Sequence, residues 1–338
     1  MNDETKGETK GETAENTVPT ITKGLEEIAT IANIGTGTMG HAIALQFAIA
    51  GYDTRLVGRG EASLTRAMER IRADAETFAS AGLLREGEDV ETVLSRLTPV
   101  VGYERGVADA DFVIESVAED LDVKREVWAQ VERHAPSEAV FATNTSGLSP
   151  TAIAQALERP ERFVVAHFWN PAQLMPLVEV VPGERTDPRV LDVTFALMER
   201  IGKKPARIER ESLGFVGNRL QMAVLREAFH IIGEGIADAA TVDDVVRYSL
   251  GRRWNLVGPI ASIDLGGLDV FHNISTYLFD DMDNGVGVSP LLAQKVAHGD
   301  LGAKTGRGFF SWQGEEGRRV VEARDAALLD ALRRDARP

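Results

Sequence analysis

Apolar and polar positions follow two different patterns in this chain, and the change between them predicts two structured regions. From residue 29 to about residue 208, short apolar runs alternate with segments of helical spacing. Such alternation is typical of an α/β fold in which helices cover a doubly wound, mostly parallel sheet. The predicted strands cover residues 30–34, 54–57, 112–115, 140–143, 163–166, 177–181 and 205–208.

Helical spacing dominates the remainder of the chain. Residues 61–96 are helix-rich, with a turn at Gly82, which predicts a helical hairpin inserted after the second strand. Beyond Ser212 apolar residues recur at helical spacing and no strand pattern follows. We therefore expect a sheet domain over residues 25–211 and a smaller all-helical C-terminal domain over residues 212–338. Residues 1–24 are polar and repeat the sequence ETKG, which predicts a disordered acidic tail with little apolar surface to bury.

A glycine-rich turn lies between the first predicted strand and the helix after it. Gly35, Gly37 and Gly40 have the spacing G-x-G-x-x-G, with Thr38 and Met39 between the last two glycines. This spacing allows a tight turn, a close approach of the backbone to a pyrophosphate, and close packing of helix and strand. The helix N-terminus adds unbonded N–H groups and a positive dipole end. Between a strand and a helix, the motif predicts a dinucleotide cofactor, NAD or NADP.

The end of the second predicted strand bears on the choice between these cofactors. NAD sites usually place an acidic residue there, against the ribose hydroxyls, whereas this chain has Gly58 followed by Arg59. Because a guanidinium can hold a 2′-phosphate, Arg59 favours NADP slightly. The alternative is that Arg59 is only solvated and that Glu61 or water serves the ribose.

Two residues in apolar surroundings are suited to acid–base chemistry. His167 follows one apolar run, and Glu179 lies twelve positions later in a second apolar run. An imidazole exchanges protons near pH 7, and a carboxylate against its other nitrogen fixes the tautomer and stabilises the charged form. By themselves, the two residues can equally be a histidine at the core edge and a glutamate at the end of a strand.

Three polar residues elsewhere are candidates for the same site. Asn144 and Ser146 follow the predicted strand 140–143, at the sheet edge where α/β proteins bind ligands. Asn218 lies near the start of the first helix of the second region. Taken singly, these residues are equally consistent with an ordinary turn and a capping asparagine.

Composition narrows the possible functions. The formal net charge of −15 over 338 residues disfavours nucleic acids and anionic membranes as partners. No apolar run has the length of a membrane span, the polar N-terminus does not resemble a signal peptide, and no spacing of histidine and acidic residues predicts a metal site. The absence of cysteine excludes disulfides and agrees with a cytoplasmic location.

Seven motifs taken together, in this order, resemble the L-3-hydroxyacyl-CoA dehydrogenase family between about residues 31 and 312. The resemblance implies a Rossmann-type nucleotide-binding domain. It also implies NAD(P)-dependent interconversion of a 3-hydroxyacyl and a 3-oxoacyl substrate. The motifs are GTGTMG from Gly35, VIESV from Val113, NTS from Asn144, HFWNP from His167, LVEVV from Leu177, GFVGNRL from Gly214 and KTGRGF from Lys304.

The resemblance also implies roles for individual residues around the reacting group. His167 matches the general base of alcohol oxidation and the general acid of ketone reduction, and Glu179 matches the carboxylate that orients it. Ser146 and Asn218 match polar groups around the substrate oxygen and the histidine.

Other implied roles concern the cofactor and the assembly. Glu115 and Lys124 match positions near the nicotinamide end of the cofactor, and Asn144 matches another position that lines it. The family further implies a homodimer formed through the C-terminal domain.

Several positions depart from the acyl-CoA enzymes of this family. The usual acid at the second strand end is Gly58, and the lysine common before the LVE sequence is Pro176. These departures look more like relatives that act on small hydroxy acids, such as carnitine, gulonate and pyridine-alcohol dehydrogenases. Our leading hypothesis is a dehydrogenase of a short 3-hydroxyacyl thioester. The alternatives are a dehydrogenase of a free or carrier-protein-bound hydroxy acid, and a nucleotide-binding protein without turnover.

Overall fold

The computed structural model describes residues 23–336. The predicted disordered tail, residues 1–24, therefore lies outside the described residues except for its last two positions. Two compact units divide the described chain. The sheet unit consists of residues 23–79, 84–145 and 150–210, and the helical unit consists of residues 80–83, 146–149 and 211–336.

The sheet unit contains eight strands in one sheet. They are β1 (Thr30–Ile34), β2 (Asp53–Gly58), β3 (Leu97–Val101), β4 (Phe112–Glu115), β5 (Val140–Thr143), β6 (Phe163–Phe168), β7 (Leu177–Pro182) and β8 (Lys204–Arg207).

The strand order is β3-β2-β1-β4-β5-β6-β7-β8. Every neighbouring pair is parallel except β6 and β7, which are antiparallel. The chain order reverses between β1 and β4, and such a reversal is where open α/β sheets bind ligands outside the carboxyl ends of the strands. The predicted α/β, doubly wound, mostly parallel fold is confirmed.

One strand was missing from the prediction. Strand β3 begins directly after the segment predicted as a helical hairpin, whose helices are α2 (Glu61–Ser80) and α3 (Val90–Ser95). It lies at the edge of the sheet, has three exposed residues out of five, and contains Pro99. An edge strand buries too little surface to need a recognisable apolar pattern, and proline within an apolar run argues against a strand.

The remaining helices of the sheet unit pack on the two faces of the sheet. The first of them follows β1 and is buried from Gly40 to Ala48; one side of it packs into the larger apolar cluster through Ile43 and Phe47, and the other into a second cluster through Ala44 and Leu45. A helix that is apolar all round is one that is buried on every side. These helices are α1 (Thr38–Ile49), α4 (Tyr103–Gly106), α5 (Leu121–His134), α6 (Pro150–Ala154) and α7 (Pro188–Arg200).

The helical unit has a different burial pattern. Within residues 211–336, the buried residues are Phe215 and Gly317, and many large apolar side chains are exposed. No helix among the described residues is long and apolar enough to cross a bilayer. Its helices are α8 (Gly217–Gly233), α9 (Ala239–Val245), a π-helical turn (Val246–Leu250), α10 (Gly251–Trp254), α11 (Pro259–Gly266), α12 (Leu268–Leu278), α13 (Pro290–Ala297) and α14 (Gly314–Asp335).

Candidate active site

The glycine-rich turn joins β1 to α1 and is shaped by contacts that admit no side chain at Gly35 or Gly40. A Cβ on Gly40 would lie 2.1 Å from the Gly35 carbonyl oxygen, and one on Gly35 would lie 2.6 Å from the Ser116 carbonyl oxygen. Gly37 is the N-cap of α1 and has open space where a side chain would stand. The turn therefore presents bare backbone beside a helix N-terminus, which fits the pyrophosphate of a dinucleotide.

The side chain of Asn33 in β1 hydrogen-bonds to the backbone of this turn. Its side-chain amide donates to the Gly40 carbonyl at 2.9 Å and to the Gly35 carbonyl at 3.3 Å. Asn33 is fully buried, and polar residues are unusual in a central strand. The amide therefore satisfies two carbonyl groups of the turn, a role that the apolar pattern of the strand does not reveal.

His41, directly after the glycine motif, connects the turn to two other segments. Its Nδ1 lies 2.8 Å from the Gly37 carbonyl oxygen, and its Nε2 lies 3.3 Å from an Asp74 carboxylate oxygen on α2. The same oxygen accepts from the Gln173 amide at 3.3 Å. Gln173 belongs to the connection between β6 and β7, so these bonds link the cofactor turn to that connection.

The second strand ends at Gly58, where the structure leaves no room for an acidic side chain. A Cβ on Gly58 would come within 2.9 Å of Leu64 and 3.0 Å of Thr36. Arg59 is exposed and lies near Tyr103. Burial raises the pKa of the Tyr103 hydroxyl, and the positive charge of Arg59 acts in the opposite direction. The strand end thus carries a solvent-accessible cation in place of a carboxylate.

His167 and Glu179 face each other across the antiparallel pair of β6 and β7. The strand register places them directly opposite, and His167 Nδ1 lies 2.9 Å from Glu179 Oε2. His167 is 5% exposed and Glu179 is 1% exposed. Because a carboxylate only accepts, Nδ1 is the protonated ring nitrogen, which leaves Nε2 as the nitrogen that can take up a proton.

Trp169 and Asn144 hold the two ends of this pair in place. The Trp169 indole donates to Glu179 Oε2 at 3.4 Å, and its ring lies 5.5 Å from the His167 ring. The Phe168 backbone N–H donates to Asn144 Oδ1 at 2.7 Å. The amide of Asn144 is therefore committed to the strand that carries His167. This contact is structural, while its predicted cofactor-lining role stays a prediction.

Glu115 and Lys124 form a buried ion pair at the carboxyl end of β4. Lys124 Nζ donates to Glu115 Oε1 at 2.7 Å, and the two side chains are 1% and 0% exposed. The Thr143 hydroxyl donates to Glu115 Oε2 at 2.7 Å, and the Trp128 indole donates to it at 3.3 Å. The Val117 backbone N–H donates to Glu115 Oε1 at 2.6 Å. The sequence motif contained Glu115 but carried no sign of Trp128 or Thr143 as its partners.

Ser146 and Asn218 belong to the helical unit, and His167 and Glu179 belong to the sheet unit. The Asn218 side-chain amide donates to the Ser146 carbonyl at 2.7 Å. Asn218 lies in the first turn of α8, which Phe215 precedes with a φ of 49°. A buried, non-glycine residue in the left-handed region costs about 1–3 kcal/mol, which its fully buried ring offsets through packing.

Lys203 is a buried cation near the His167 strand that the sequence did not single out. It is 4% exposed. Its Nζ donates to the carbonyls of Ala172 at 2.7 Å and Met175 at 3.1 Å, both in the connection between β6 and β7. Desolvation lowers the pKa of Lys203 to about 7 from the usual 10.5. The Lys203 amino group thus holds together the turn that joins the His167 strand to the Glu179 strand.

A pH dependence of stability follows from this lysine. Between pH 7 and about 10.5 the unfolded chain keeps the proton that folded Lys203 loses, so the contribution of Lys203 to stability rises with pH. Urea unfolding at several pH values is expected to show wild type gaining stability relative to Lys203→Met as pH rises through this window. Parallel curves for the two proteins would contradict the assignment.

The arginines on α2 are solvent-facing. Arg66, Arg70 and Arg72 are exposed, and Arg72 is paired with Glu91 of α3.

The described residues contain no group of three histidine, aspartate or glutamate side chains that could hold a metal ion.

Comparison with known proteins identifies relatives over most of the chain. The family described as "3-hydroxyacyl-CoA dehydrogenase, NAD binding domain" matches residues 30–212, and "3-hydroxyacyl-CoA dehydrogenase, C-terminal domain" matches residues 214–312. A 5-formyl-3-hydroxy-2-methylpyridine 4-carboxylate 5-dehydrogenase of Mesorhizobium japonicum is 31% identical over 91% of this chain and 98% of that protein. A 3-hydroxybutyryl-CoA dehydrogenase of Clostridioides difficile is 33% identical over 83% of this chain and 99% of that protein.

Among solved structures, one has the same activity as the first of these relatives. It is a 5-formyl-3-hydroxy-2-methylpyridine 4-carboxylic acid 5-dehydrogenase, described as an NAD⁺-dependent dismutase. It superposes with a TM-score of 0.86 at 29% identity, and the match covers 92% of this chain and all of that chain.

Proposed function

The chain belongs to the 3-hydroxyacyl-CoA dehydrogenase family of NAD-dependent oxidoreductases acting on CH–OH groups, and we propose that His167 is its general acid and base. The observation that carries this proposal is the hydrogen bond from His167 Nδ1 to Glu179 on the facing strand. It supports a tautomer with Nε2 ready to accept the proton of a substrate hydroxyl.

The proton transfer at His167 accompanies the redox step. NAD, when bound at the glycine turn, supplies the acceptor for the hydride that leaves C3 of the substrate. His167 takes the hydroxyl proton in oxidation and returns it to the carbonyl oxygen in reduction. Glu179, almost fully buried, stabilises the imidazolium that forms. We assign Ser146 and Asn218 to the substrate oxygen as polar groups, and Glu115, Lys124 and Asn144 to the nicotinamide end of the cofactor site.

The substrate we propose first is a short 3-hydroxyacyl thioester, because the family and its relative from C. difficile point to this class. A free or carrier-bound hydroxy acid is the second candidate. Pro176, in place of the lysine common in acyl-CoA enzymes, favours it. So does the relative named for a pyridine carboxylate, which matches over 91% of this chain and 98% of its own length.

Initial rates of NADH oxidation separate the two candidates. Acetoacetyl-CoA and free acetoacetate are compared at equal concentrations, with the pyridine aldehyde carboxylate as a third substrate. The first candidate predicts reduction of the thioester. Reduction of the free acids alone would replace the first candidate with the second, and no reduction of any of them, with NADH bound, would contradict both.

Arg59 is proposed to admit NADP beside NAD. It is exposed at the end of β2, where its guanidinium can pair with a 2′-phosphate. Arg59→Ala is expected to lower kcat/KM for NADPH by about 10- to 100-fold, the worth of one charged hydrogen-bonded contact, with little change for NADH. Arg105→Ala, an exposed arginine on nearby α4, is the matched control. An equal effect on both cofactors would contradict this role.

We further propose a homodimer formed through the helical unit. Leu265 is 79% exposed, Ile260 71% and Phe279 69%, and a helical unit with so little buried surface needs a covering partner. Light scattering after size exclusion is expected to give twice the chain mass of 36.7 kDa. Ile260→Glu is expected to shift the protein toward monomer. A monomeric wild type at micromolar concentration would overturn this proposal.

A further inference from the structure

A pocket of about 760 Å³ lies along α8 in the helical unit. Asn218, Arg219, Met222 and Arg226 line it from the helix, and the segment 283–292 lines it from the other side. The Asp283 backbone N–H donates to Glu227 of α8 at 2.9 Å, which ties the start of that segment to the helix. The pocket is thus formed within one unit and includes the asparagine assigned to the substrate oxygen.

The charges of this pocket are unbalanced in favour of cations. Arg226 makes no hydrogen bond or ion pair with any residue in the range 23–336. Arg219 has only a long bond, 3.5 Å, to the Leu213 carbonyl. The one acid of the lining, Asp283, accepts the Gly285 backbone N–H at 2.7 Å. Arg219 and Arg226 are both exposed, and neither has a carboxylate partner among residues 23–336.

Helix geometry places both cations on one side of the pocket. Arg219 and Arg226 are seven residues apart, so they share a face of α8 and are about 10 Å apart along its axis. Long side chains on a helix lean toward its N-terminus by about one turn. The guanidinium of Arg226 therefore leans toward the end of α8 that carries Asn218.

Most of the remaining lining is apolar. Met222 lies between the two arginines, and Val286, Val288 and Leu292 stand opposite. Such a surface accommodates a short carbon chain, and it is open to solvent, because Met222, Val286 and Val288 are exposed. A planar carboxylate is the partner that a guanidinium binds best, through two parallel hydrogen bonds.

We propose that Arg226 binds a free carboxylate of the substrate, so that the enzyme prefers a compact 3-oxo or 3-hydroxy acid over its uncharged ester or thioester. This inference rests on the proposed dehydrogenase function and selects the second substrate class. The phosphates of a carrier group are the other anions that the same guanidinium can meet. The experiment therefore includes both.

The test compares wild type with Arg226→Met and a control, Arg324→Met. Arg324 lies on α14, outside the pocket lining, and pairs with its neighbour Asp325. The substrates are unbranched 3-oxo acids of four to eight carbons, their methyl esters, and acetoacetyl-CoA, all with NADH. Arg226→Met is expected to raise KM for the acids by about 10- to 100-fold and to leave KM for the esters unchanged. Arg226→Lys is expected to recover part of the loss.

Several outcomes would overturn the proposal that Arg226 binds the substrate carboxylate. Equal losses for acids and esters would make Arg226 structural, and no loss for either would make it irrelevant. A loss confined to acetoacetyl-CoA would assign the cation to a carrier phosphate.

Binding measurements distinguish a failure of the carboxylate-binding proposal from a failure of the dehydrogenase function itself. If wild type reduces none of these compounds, calorimetric titration of the 3-oxo acids into the protein with NADH decides the question. If the acids bind to wild type and Arg226→Met abolishes this binding, the carboxylate-binding role of Arg226 would be supported without the redox function. Absence of such binding would overturn the carboxylate-binding role of Arg226 as well.

Discussion

Replacing His167 with asparagine is expected to lower kcat by about 100- to 10,000-fold, the usual contribution of a positioned general acid or base. Asparagine retains a polar group at a buried position and cannot exchange a proton near neutral pH. Because His167 lies at the end of β6 and not in the glycine turn, NADH affinity measured by fluorescence is expected to stay close to that of wild type.

Two companion variants sharpen this result. Glu179→Gln keeps an acceptor for His167 Nδ1 but removes the negative charge that stabilises the imidazolium, so it is expected to lower kcat by less than His167→Asn. His134→Asn changes an exposed histidine at the end of α5 and is expected to leave turnover unchanged. If His167→Asn retained turnover within about two-fold of wild type, the general acid–base role would be wrong.

Replacing Lys124 with methionine is expected to destabilise the fold by about 3–5 kcal/mol, the cost of leaving one partner of a buried ion pair without its counter-charge. Glu115 would keep three donors, from Trp128, Thr143 and the Val117 backbone, but its charge would remain buried. Urea unfolding of the variant and wild type, with the slope compared as well as the midpoint, measures this cost.

A double-mutant cycle separates the pair from the general effect of burial. The double variant Lys124→Met with Glu115→Gln removes both charges and is expected to cost less than the sum of the two single changes. Arg319→Met serves as the control, because its pair with Glu315 lies on the surface, with side chains 73% and 68% exposed, and such pairs contribute little. Additive effects at Lys124 and Glu115 would show that the pair is not coupled.

The strong apolar patterns predicted the sheet well. Seven of its eight strands were located from the sequence pattern. Six of these are internal strands, which are apolar because helices cover both faces of the sheet, and the seventh, β8, is the other edge strand. The edge strand β3 was missed, because exposed edge residues and Pro99 carry no such requirement. The antiparallel direction of β7 was equally beyond prediction, since an apolar run is the same in either direction.

Candidate site residues were predicted where a residue type suited to the chemistry lies in a recognisable motif or within or next to an apolar run. The glycine spacing before α1 and the positions of His167 and Glu179 in successive apolar runs are visible as sequence features. The roles of Asn33, Trp128 and Lys203 were not predicted, because each depends on a backbone carbonyl or a carboxylate in another part of the fold. Their partners become neighbours only when strands and helices pack.

What the sequence by itself determined is the α/β architecture, the dinucleotide turn and the residue types available for acid–base chemistry. Periodicity and glycine spacing are local properties, and local sterics and burial enforce them. The tertiary structure alone decided that His167 faces Glu179, that Glu115 is neutralised by Lys124, and that Arg226 lines a pocket with no acidic partner among residues 23–336. These relations depend on strand direction, helix packing and side-chain burial, which no stretch of the chain encodes in isolation.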